Sequence, residues 1–251
     1  MELTAENVKA KLAPRWNAVF FERVDSTNDI AMALLNDGQF DQVIVANEQV
    51  KGKGRLGRVW YTPPETALIV SVILPLREPK LLPRMTMLGA VAIAEMLVNS
   101  GVTNVGIKWP NDVQVNGKKV SGILSEAAWN GDQLHGVVLG MGVNVRIDFS
   151  GTELENTAIS IEPALGRKVD RLDLLGDLMG RIDYWFARIG SDELFKAWNR
   201  RLNMLGKKVT VQQGTLHGIA ELVDANGTLL VRDEQGELHR VVAGDIALGS
   251  I

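Results

Sequence analysis

Cysteine is absent from the 251 residues, which excludes disulfides, thiolate-bound zinc, iron–sulfur clusters and thiol nucleophiles, and suits a reducing compartment. Histidine is scarce: His135, His217 and His239 are the only three. Their spacing makes no metal-binding cluster, so no His-ligated metal is expected. Positive charge is not in surplus either, since 27 Lys+Arg face 30 Asp+Glu for a formal charge of −3. A phosphate-backbone binder normally needs the opposite balance, and no nucleic acid is expected as main partner. There is no secretory signal, and the most apolar stretch, Leu88 to Val98, is interrupted by Glu95 and too short to span a bilayer. No membrane partner is expected. Repeats and low-complexity segments are also missing. What remains is a chain that is 46% hydrophobic and 23% charged, expected to be cytoplasmic and long enough for one large domain or two unequal ones.

The pattern along the chain reads as follows. After a short polar N-terminal segment, Ala18 to Phe21 predicts a strand, and Ser26-Thr27-Asn28-Asp29 predicts a helix start in which the hydroxyl caps free amides. That helix should stop at Gly38. Val43 to Ala46 predicts a second strand, followed by a Gly- and cation-rich loop from Lys51 to Arg58. Ala67 to Leu74 predicts a buried strand, and Met85 to Val98 a buried helix closed near Gly101. From Val105 to Val145 several strand-like runs are separated by turns, two of them marked by Asn116-Gly117 and Asn130-Gly131. Leu172 to Trp185 and Glu193 to Leu202 carry helical spacing. Past Leu205-Gly206 the pattern changes to short alternating strands, which places a domain boundary near 204 and a small β-barrel after it.

Four stretches carry chemistry. Lys51-Gly52-Lys53-Gly54-Arg55-Leu56-Gly57-Arg58 puts four cations on one glycine-rich loop, suited to a phosphate or carboxylate. Its literal G-x-G-x-x-G is not a dinucleotide turn, because no helix follows, and no kinase catalytic loop or Walker loop accompanies it. Lys108-Trp109-Pro110-Asn111-Asp112 gathers a cation, an aromatic, an amide and a carboxylate around a rigid turn. Lys119 opens the run Val120-Ser121-Gly122-Ile123-Leu124, from which its stem can aim an ammonium into a cleft. Gly140 and Gly142 sit inside a strand-like run, the mark either of tight packing or of close approach by a ligand.

In order, Asp25-Ser26-Thr27-Asn28, Glu48-Gln49 leading into the cationic loop and Trp60, Lys108 to Asp112, Lys119 to Leu124, and Gly140-Met141-Gly142-Val143-Asn144 resemble the biotin–protein ligase family. The resemblance runs collinearly over residues 20 to 146, and Gly244-Asp245-Ile246 resembles the end of that family's small C-terminal barrel. It implies an α+β fold: a mixed β-sheet backed by helices, class II synthetase-like, over residues 1–203, then an SH3-like β-barrel over 204–251. It also implies that biotin and ATP are substrates, joined as biotinyl-5′-AMP with release of pyrophosphate. The acceptor would be a lysine of a biotin carboxyl carrier protein. Magnesium would be held by phosphates and water and not by direct protein ligands.

The resemblance also implies roles. Ser26, Thr27 and Gln49 would bind the ureido end of biotin, with Asn28, Ile123 and Leu124 in the same pocket. Gly52, Lys53 and Arg55, with Arg58, would form the loop closing over the adenylate, and Trp60 would support the adenine side. Asn111 and Asn144 would hold nucleotide or phosphate. Gly122, Gly140 and Gly142 would pass backbone close to biotin. Lys119 would stabilise charge at the reacting phosphate, and Asp112 would orient or deprotonate the acceptor lysine. Two departures stand out. Lys53 occupies a position that is commonly arginine, losing a bidentate fork, and no N-terminal winged-helix domain precedes the first strand, as expected for a monofunctional ligase. A lipoate–protein ligase and a non-catalytic biotin-sensing module stay open as alternatives, and a homodimer through a sheet edge is compatible with the pattern.

Overall fold

A computed structural model describes residues 2–211 and 215–248. The remaining positions of the two expected spans lie outside the described residues. In chain order the elements are α1 (Ala5–Lys11), β1 (Asn17–Val24), α2 (Thr27–Asn36), β2 (Gln42–Gln49), β3 (Ala67–Leu74), α3 (Leu82–Asn99), β4 (Val105–Lys108), β5 (Asp112–Val115), β6 (Lys118–Asn130) and β7 (Gln133–Asn144). There follow α4 (Ile161–Leu165), α5 (Arg171–Phe186), α6 (Asp192–Asn199), β8 (Lys208–Val211), β9 (Leu216–Val223), β10 (Leu229–Arg232), β11 (Leu238–Val241) and β12 (Ile246–Leu248).

The first seven strands form one sheet in the order β1-β2-β3-β7-β6-β5-β4. Only the β1–β2 pair is parallel, joined through α2; the other pairs are antiparallel. β3 reads Ala-Leu-Ile-Val-Ser-Val-Ile-Leu and is buried at every position, as a strand covered on both faces must be. One face is packed by α3, α5 and α6 over a large core that includes Leu68, Val70, Leu88, Leu139 and Leu175. The other carries α2 on Leu35, Ile44, Ile73 and Val138. The last five strands make a second, antiparallel sheet in the order β11-β10-β9-β8-β12, in keeping with an SH3-like barrel.

The structure corrects several local expectations. The polar N-terminal segment forms α1, because Thr4 caps its first turn and Val8, with Leu3 and Leu12 flanking the helix, buries against the core. The central helix runs from Leu82 to Asn99 and, with the turn before it, is long and apolar enough to cross a membrane by length and composition. Here its apolar residues, Met85, Leu88 and Ile93 among them, are buried inside the molecule. The hairpin after β6 turns on Gly131-Asp132, one residue later than expected, since Asn130 pairs with Gln133. α4 carried no sequence signal: five residues are too few for helical periodicity to show. The cationic loop contains one tight turn at Arg55–Gly57.

The cis-peptide turn Trp109-Pro110 ties the two sheets together. Trp109 is buried, and its Nε1 donates to the Gly227 carbonyl in the β9–β10 turn at 2.8 Å. Trp109→Phe keeps an aromatic side chain but drops the pyrrole half of the indole and with it that bond, stranding a carbonyl. Urea unfolding is expected to show a loss of about 1–3 kcal/mol.

Candidate functional site

The alternation of the strands decides which residues meet. On β3 the even positions Leu68, Val70, Val72 and Leu74 enter the large core, so Ile69, Ser71 and Ile73 take the opposite face. On β7 Val137, Leu139, Met141 and Val143 are core, leaving Gly140, Gly142 and Asn144 on that second face. Gly122 pairs with Gly142 and Leu124 with Gly140 across β6 and β7, while Ser71 and Ile69 stand opposite Gly140 and Gly142 on β3. Side chains are thus missing along a strip of sheet, and a cavity of about 490 Å³ lies over it.

Two of the protein's own side chains use this space. A methyl at Gly140 would meet Asn28 Oδ1 at 2.0 Å, and one at Gly142 would meet Trp60 Nε1 at 2.4 Å. The resemblance implies that these glycines pass backbone close to biotin; Asn28 and Trp60 occupy the space directly above them. The Trp60 indole covers the strip, with Lys119 Nζ 5.3 Å from its ring centroid.

One end of the cavity is neutral and hydrogen-bonding. Ser26 starts α2 but its hydroxyl caps no amide; Gln49 Oε1 accepts from Thr27 N at 2.8 Å instead. The Ser26 side chain is thereby left to the cavity it lines. Thr27 Oγ1 lies 3.0 Å from Gln49 Oε1 and 2.7 Å from Ser71 Oγ. Asn28 joins Ser71 to Glu126, at 2.6 Å from each. Ser71 and Glu126 had no place in the sequence reading, and only their register on β3 and β6 marks them.

The other end is cationic. Asp112 on β5 faces Lys119 Nζ at 2.7 Å and Lys108 Nζ at 3.5 Å. Arg55 Nη1 donates to Asn111 Oδ1, the Gly244 carbonyl and Asp245 Oδ1 at 3.1–3.2 Å, and Arg58 pairs with Asp245 Oδ2 at 2.6 Å. The loop closes on itself: Gly54 N donates to the Arg58 carbonyl and Trp60 N to the Gly52 carbonyl. Leu56 at its tip holds a φ of 57°, a left-handed conformation costing about 1 kcal/mol outside glycine. Lys53 pairs with Asp29, and this hydrogen bond raises the Lys53 pKa above its ordinary value, so Lys53 is a cation throughout the neutral range.

Of the residues expected at the site, Ser26, Thr27, Asn28, Gln49, Lys53, Arg55, Arg58, Trp60, Asn111, Asp112, Lys119 and Asn144 line this cavity, as do Gly122, Ile123, Leu124, Gly140 and Gly142. Gly52 lies outside the lining; its place is structural, since a side chain there would strike the Trp60 carbonyl at 2.4 Å. Ile123 belongs to the large core, and its side chain reaches α3 at Gly89. The amides of Asn111 and Asn144 are spent on the Ile123 carbonyl and on the Lys119 and Ile159 carbonyls respectively. The sequence reading missed Phe149, Leu154, Asn156 and Asp245, which line the same cavity. Separately, Asp233 and Glu237 in the β10–β11 connection and His239 on β11 bring three potential metal-ligand atoms within 4.8 Å of one another, a grouping that spacing between histidines alone does not reveal. His239 is paired there with Asp233 at 2.6 Å.

A mixed sheet with a cation-rich loop over a glycine floor, followed by a small antiparallel sheet that meets that loop, makes a cleft with one end suited to an anionic ligand. Comparison with known proteins agrees. Residues 20–144 match the Biotin/lipoate A/B protein ligase family, and residues 204–249 match the Biotin protein ligase C terminal domain. The bifunctional ligase/repressor BirA of Bacillus subtilis is 30% identical over 92% of this chain and 74% of its own length. The biotin–[acetyl-CoA-carboxylase] ligase of Paracoccus denitrificans is 32% identical over 85% and 93%. Among solved structures, the biotin protein ligase of Aquifex aeolicus in complex with biotin and ATP superposes with a TM-score of 0.77, at 26% identity, over 93% of this chain and 98% of that one. The chain belongs to the biotin protein ligase family.

Gly142→Ala drives a methyl into the Trp60 indole and is expected to lower biotin-dependent pyrophosphate release about 100-fold, the scale of loss when a positioning side chain is displaced by an ångström. Gly180→Ala on α5 meets nothing within 4 Å and is expected to leave the same assay unchanged.

Proposed function

We propose that the chain is an ATP-dependent biotin–protein ligase that acts on a biotin carboxyl carrier protein. A carboxylate oxygen of biotin attacks the α-phosphorus of ATP, the bond to the β-phosphate oxygen breaks, and pyrophosphate leaves. The ε-amine of a carrier lysine then attacks the acyl carbon of biotinyl-5′-AMP, expelling AMP and losing one proton as the amide forms. The observation that carries this reading is the polarity of the cavity. Thr27, Asn28 and Gln49 at one end suit a neutral ureido ring; Lys119, Arg55 and Arg58 at the other suit a phosphate anion.

In this reading Lys119 exchanges its contact with Asp112 for the reacting carboxylate and α-phosphate, where an ammonium stabilises charge that grows in the transition state. That exchange frees Asp112 Oδ1 for the acceptor amine, whose ordinary pKa of about 10.4 leaves little free base near neutrality. Arg55 and Arg58 likewise trade Asp245 for phosphate oxygens. Trp60 forms the floor under the adenylate. Magnesium fits only indirectly: among the described residues the carboxylates lining the cavity are Asp112 and Asp245, and both already face cations. The ion would therefore be held by phosphates and water, where it supplies neutralising charge. Residues 1–203 carry the chemistry in this assignment, and residues 204–251 form a barrel that steadies the cationic loop. A lipoate ligase is disfavoured because a dithiolane ring leaves the polar end of the cavity unpaired, a mismatch that such sites reject strongly.

The test is pyrophosphate release from ATP with biotin and with lipoate in parallel. Release with biotin alone, reduced about 100-fold or more in Lys119→Ala, supports the assignment; release with lipoate moves it to the lipoate ligases. Tight biotin binding without release makes the protein a sensor. Asp112→Asn is expected to form adenylate at near the normal rate while transfer to the carrier slows about 100-fold. Equal slowing of both half-reactions rejects that role.

A further inference from the structure

The cavity residues fall in rows across the sheet. Leu124 pairs with Gly140 at the neutral end, Asp112 and Gly142 both pair with Gly122 in the next row, and Gln114 pairs with Lys119 in the row beyond, each row about 7 Å from the last. Asp112 and Gln114 share the cavity face because Val113 and Val115 enter the large core. The Lys119 side chain does not stay in its own row. Its Cε and Nζ lie 3.2 Å from the place that a Cβ on Gly122 would take, so its ammonium sits one row nearer the neutral end, and Gln114 is left beyond it. Gln114 is only 5% exposed. Asn203 Nδ2 donates to its Oε1 at 2.8 Å. Among the described residues its Nε2 meets no acceptor, and it is not sealed off from the cavity that the residue lines. The contact with Asn203 is built from three segments. Asn203 N donates to the Ile107 carbonyl at 3.0 Å and Ile107 N to the Arg201 carbonyl at 2.7 Å, which docks the segment after α6 against β4. Gly106, opposite Gln114 on β4, makes the room, since a Cβ there would stand 2.8 Å from Asn203 Nδ2.

We infer that Gln114 is a further substrate-binding residue, whose amide N–H groups hold the pyrophosphate that leaves ATP, and that Asn203 is the positioning residue that aims it. The inference deepens the ligase reading and rests on it. In displacement at phosphorus the entering and leaving oxygens stand roughly in line. With the ureido ring at the neutral end and the biotin carboxylate at Lys119 Nζ, that line runs along the strands, and the leaving oxygen is carried one row outward, onto Gln114. The ribose oxygen of the α-phosphate stays off the line, so the adenosine half is not what Gln114 faces. Lys108, Arg55 and Arg58 line the same cavity and supply charge. Gln114 supplies direction: an N–H on an ionised phosphate oxygen is stronger than a bond between neutral groups, and it adds no cation to compete with magnesium.

The experiment compares wild type, Gln114→Leu, Gln114→Glu, Asn203→Ala and the double variant of Gln114→Leu with Asn203→Ala. It reads pyrophosphate release from ATP and biotin, inhibition of that reaction by added pyrophosphate or AMP, and transfer from preformed biotinyl-5′-AMP to the carrier protein. In Gln114→Leu, kcat/KM for ATP is expected to fall, and Ki for pyrophosphate to rise, about tenfold or more. The Kd for biotin, the Ki for AMP and the transfer rate are expected to stay within about twofold, because pyrophosphate has left before transfer begins. Gln114→Glu sets a second anion against the phosphates and is expected to lose about 100-fold or more in the release step alone. Asn203→Ala is expected to move both pyrophosphate readings in the same direction by less, and to add nothing in the double variant, as two residues acting through one contact do. Unchanged kinetics in Gln114→Leu overturn the inference. A raised Ki for AMP with an unchanged Ki for pyrophosphate sets Gln114 against the adenosine half and overturns it too, as does a fully active Gln114→Glu, in which the amide oxygen faces the ligand. Equal losses in biotin binding, release and transfer, with a lowered melting temperature, make Gln114 scaffold and also overturn it. An added loss in the double variant overturns the role of Asn203. All of these outcomes leave the ligase reading standing. Wild-type protein that releases no pyrophosphate with biotin overturns that reading, and this inference with it.

Discussion

The site depends on one constraint: the sheet surface must stay bare where β6 and β7 run beside β3. Gly122 and Gly142 face each other directly across two strands, and Gly140 faces Ser71. A single methyl at either β7 position would collide with a side chain that the site needs. Glycine weakens a strand by leaving nothing to pack. Here that loss is offset by Asn28 and Trp60, which come from α2 and from the cationic loop to fill the depression. The floor of the cavity, the orientation of the amide network and the position of the indole beside Lys119 all follow from it.

The charges follow a second rule: the cations at the cationic end are paired with carboxylates, Lys108 with Asp112 four residues on and the others across elements. Lys119 on β6 meets Asp112 on β5, and Arg55 and Arg58 meet Asp245 just before β12. Pairing keeps several positive side chains together on one side of the cavity without a ligand. Two contacts carry the second sheet into this arrangement. Trp109 holds the Gly227 carbonyl at one point, and Asp245 holds the loop arginines at the other. The small sheet is therefore mechanically continuous with the site.

Much of this was legible along the chain. Strands β1 to β3, the long central helix and the change of pattern near residue 204 follow from periodicity and turn residues, which act over a few neighbours. The glycine-rich cationic loop, Lys119 and the Lys108–Asp112 segment were recognisable because each keeps its chemistry within a short run. The helix α1 has no periodic signal because Val8 is its one fully buried residue, and Leu3 and Leu12, which bury beside it, lie outside the helix. Ser71 escaped because a serine in the middle of an apolar strand has no local signal. Its meaning lies in Thr27 and Asn28, more than forty residues away in sequence. Ile123 lines the cavity as expected, but only strand alternation shows that its side chain turns toward α3 while its neighbours Gly122 and Leu124 face the other way.

The sequence by itself determined the classes of element, the sites of the turns and the inventory of groups available for chemistry, because these depend on local sterics, on hydrophobic period and on residue type. Tertiary structure alone decided which groups share a hydrogen bond, which cation meets which carboxylate and which glycine makes room for which side chain. Those outcomes depend on strand register and on the packing of distant segments, where a shift of one residue turns every side chain to the opposite face.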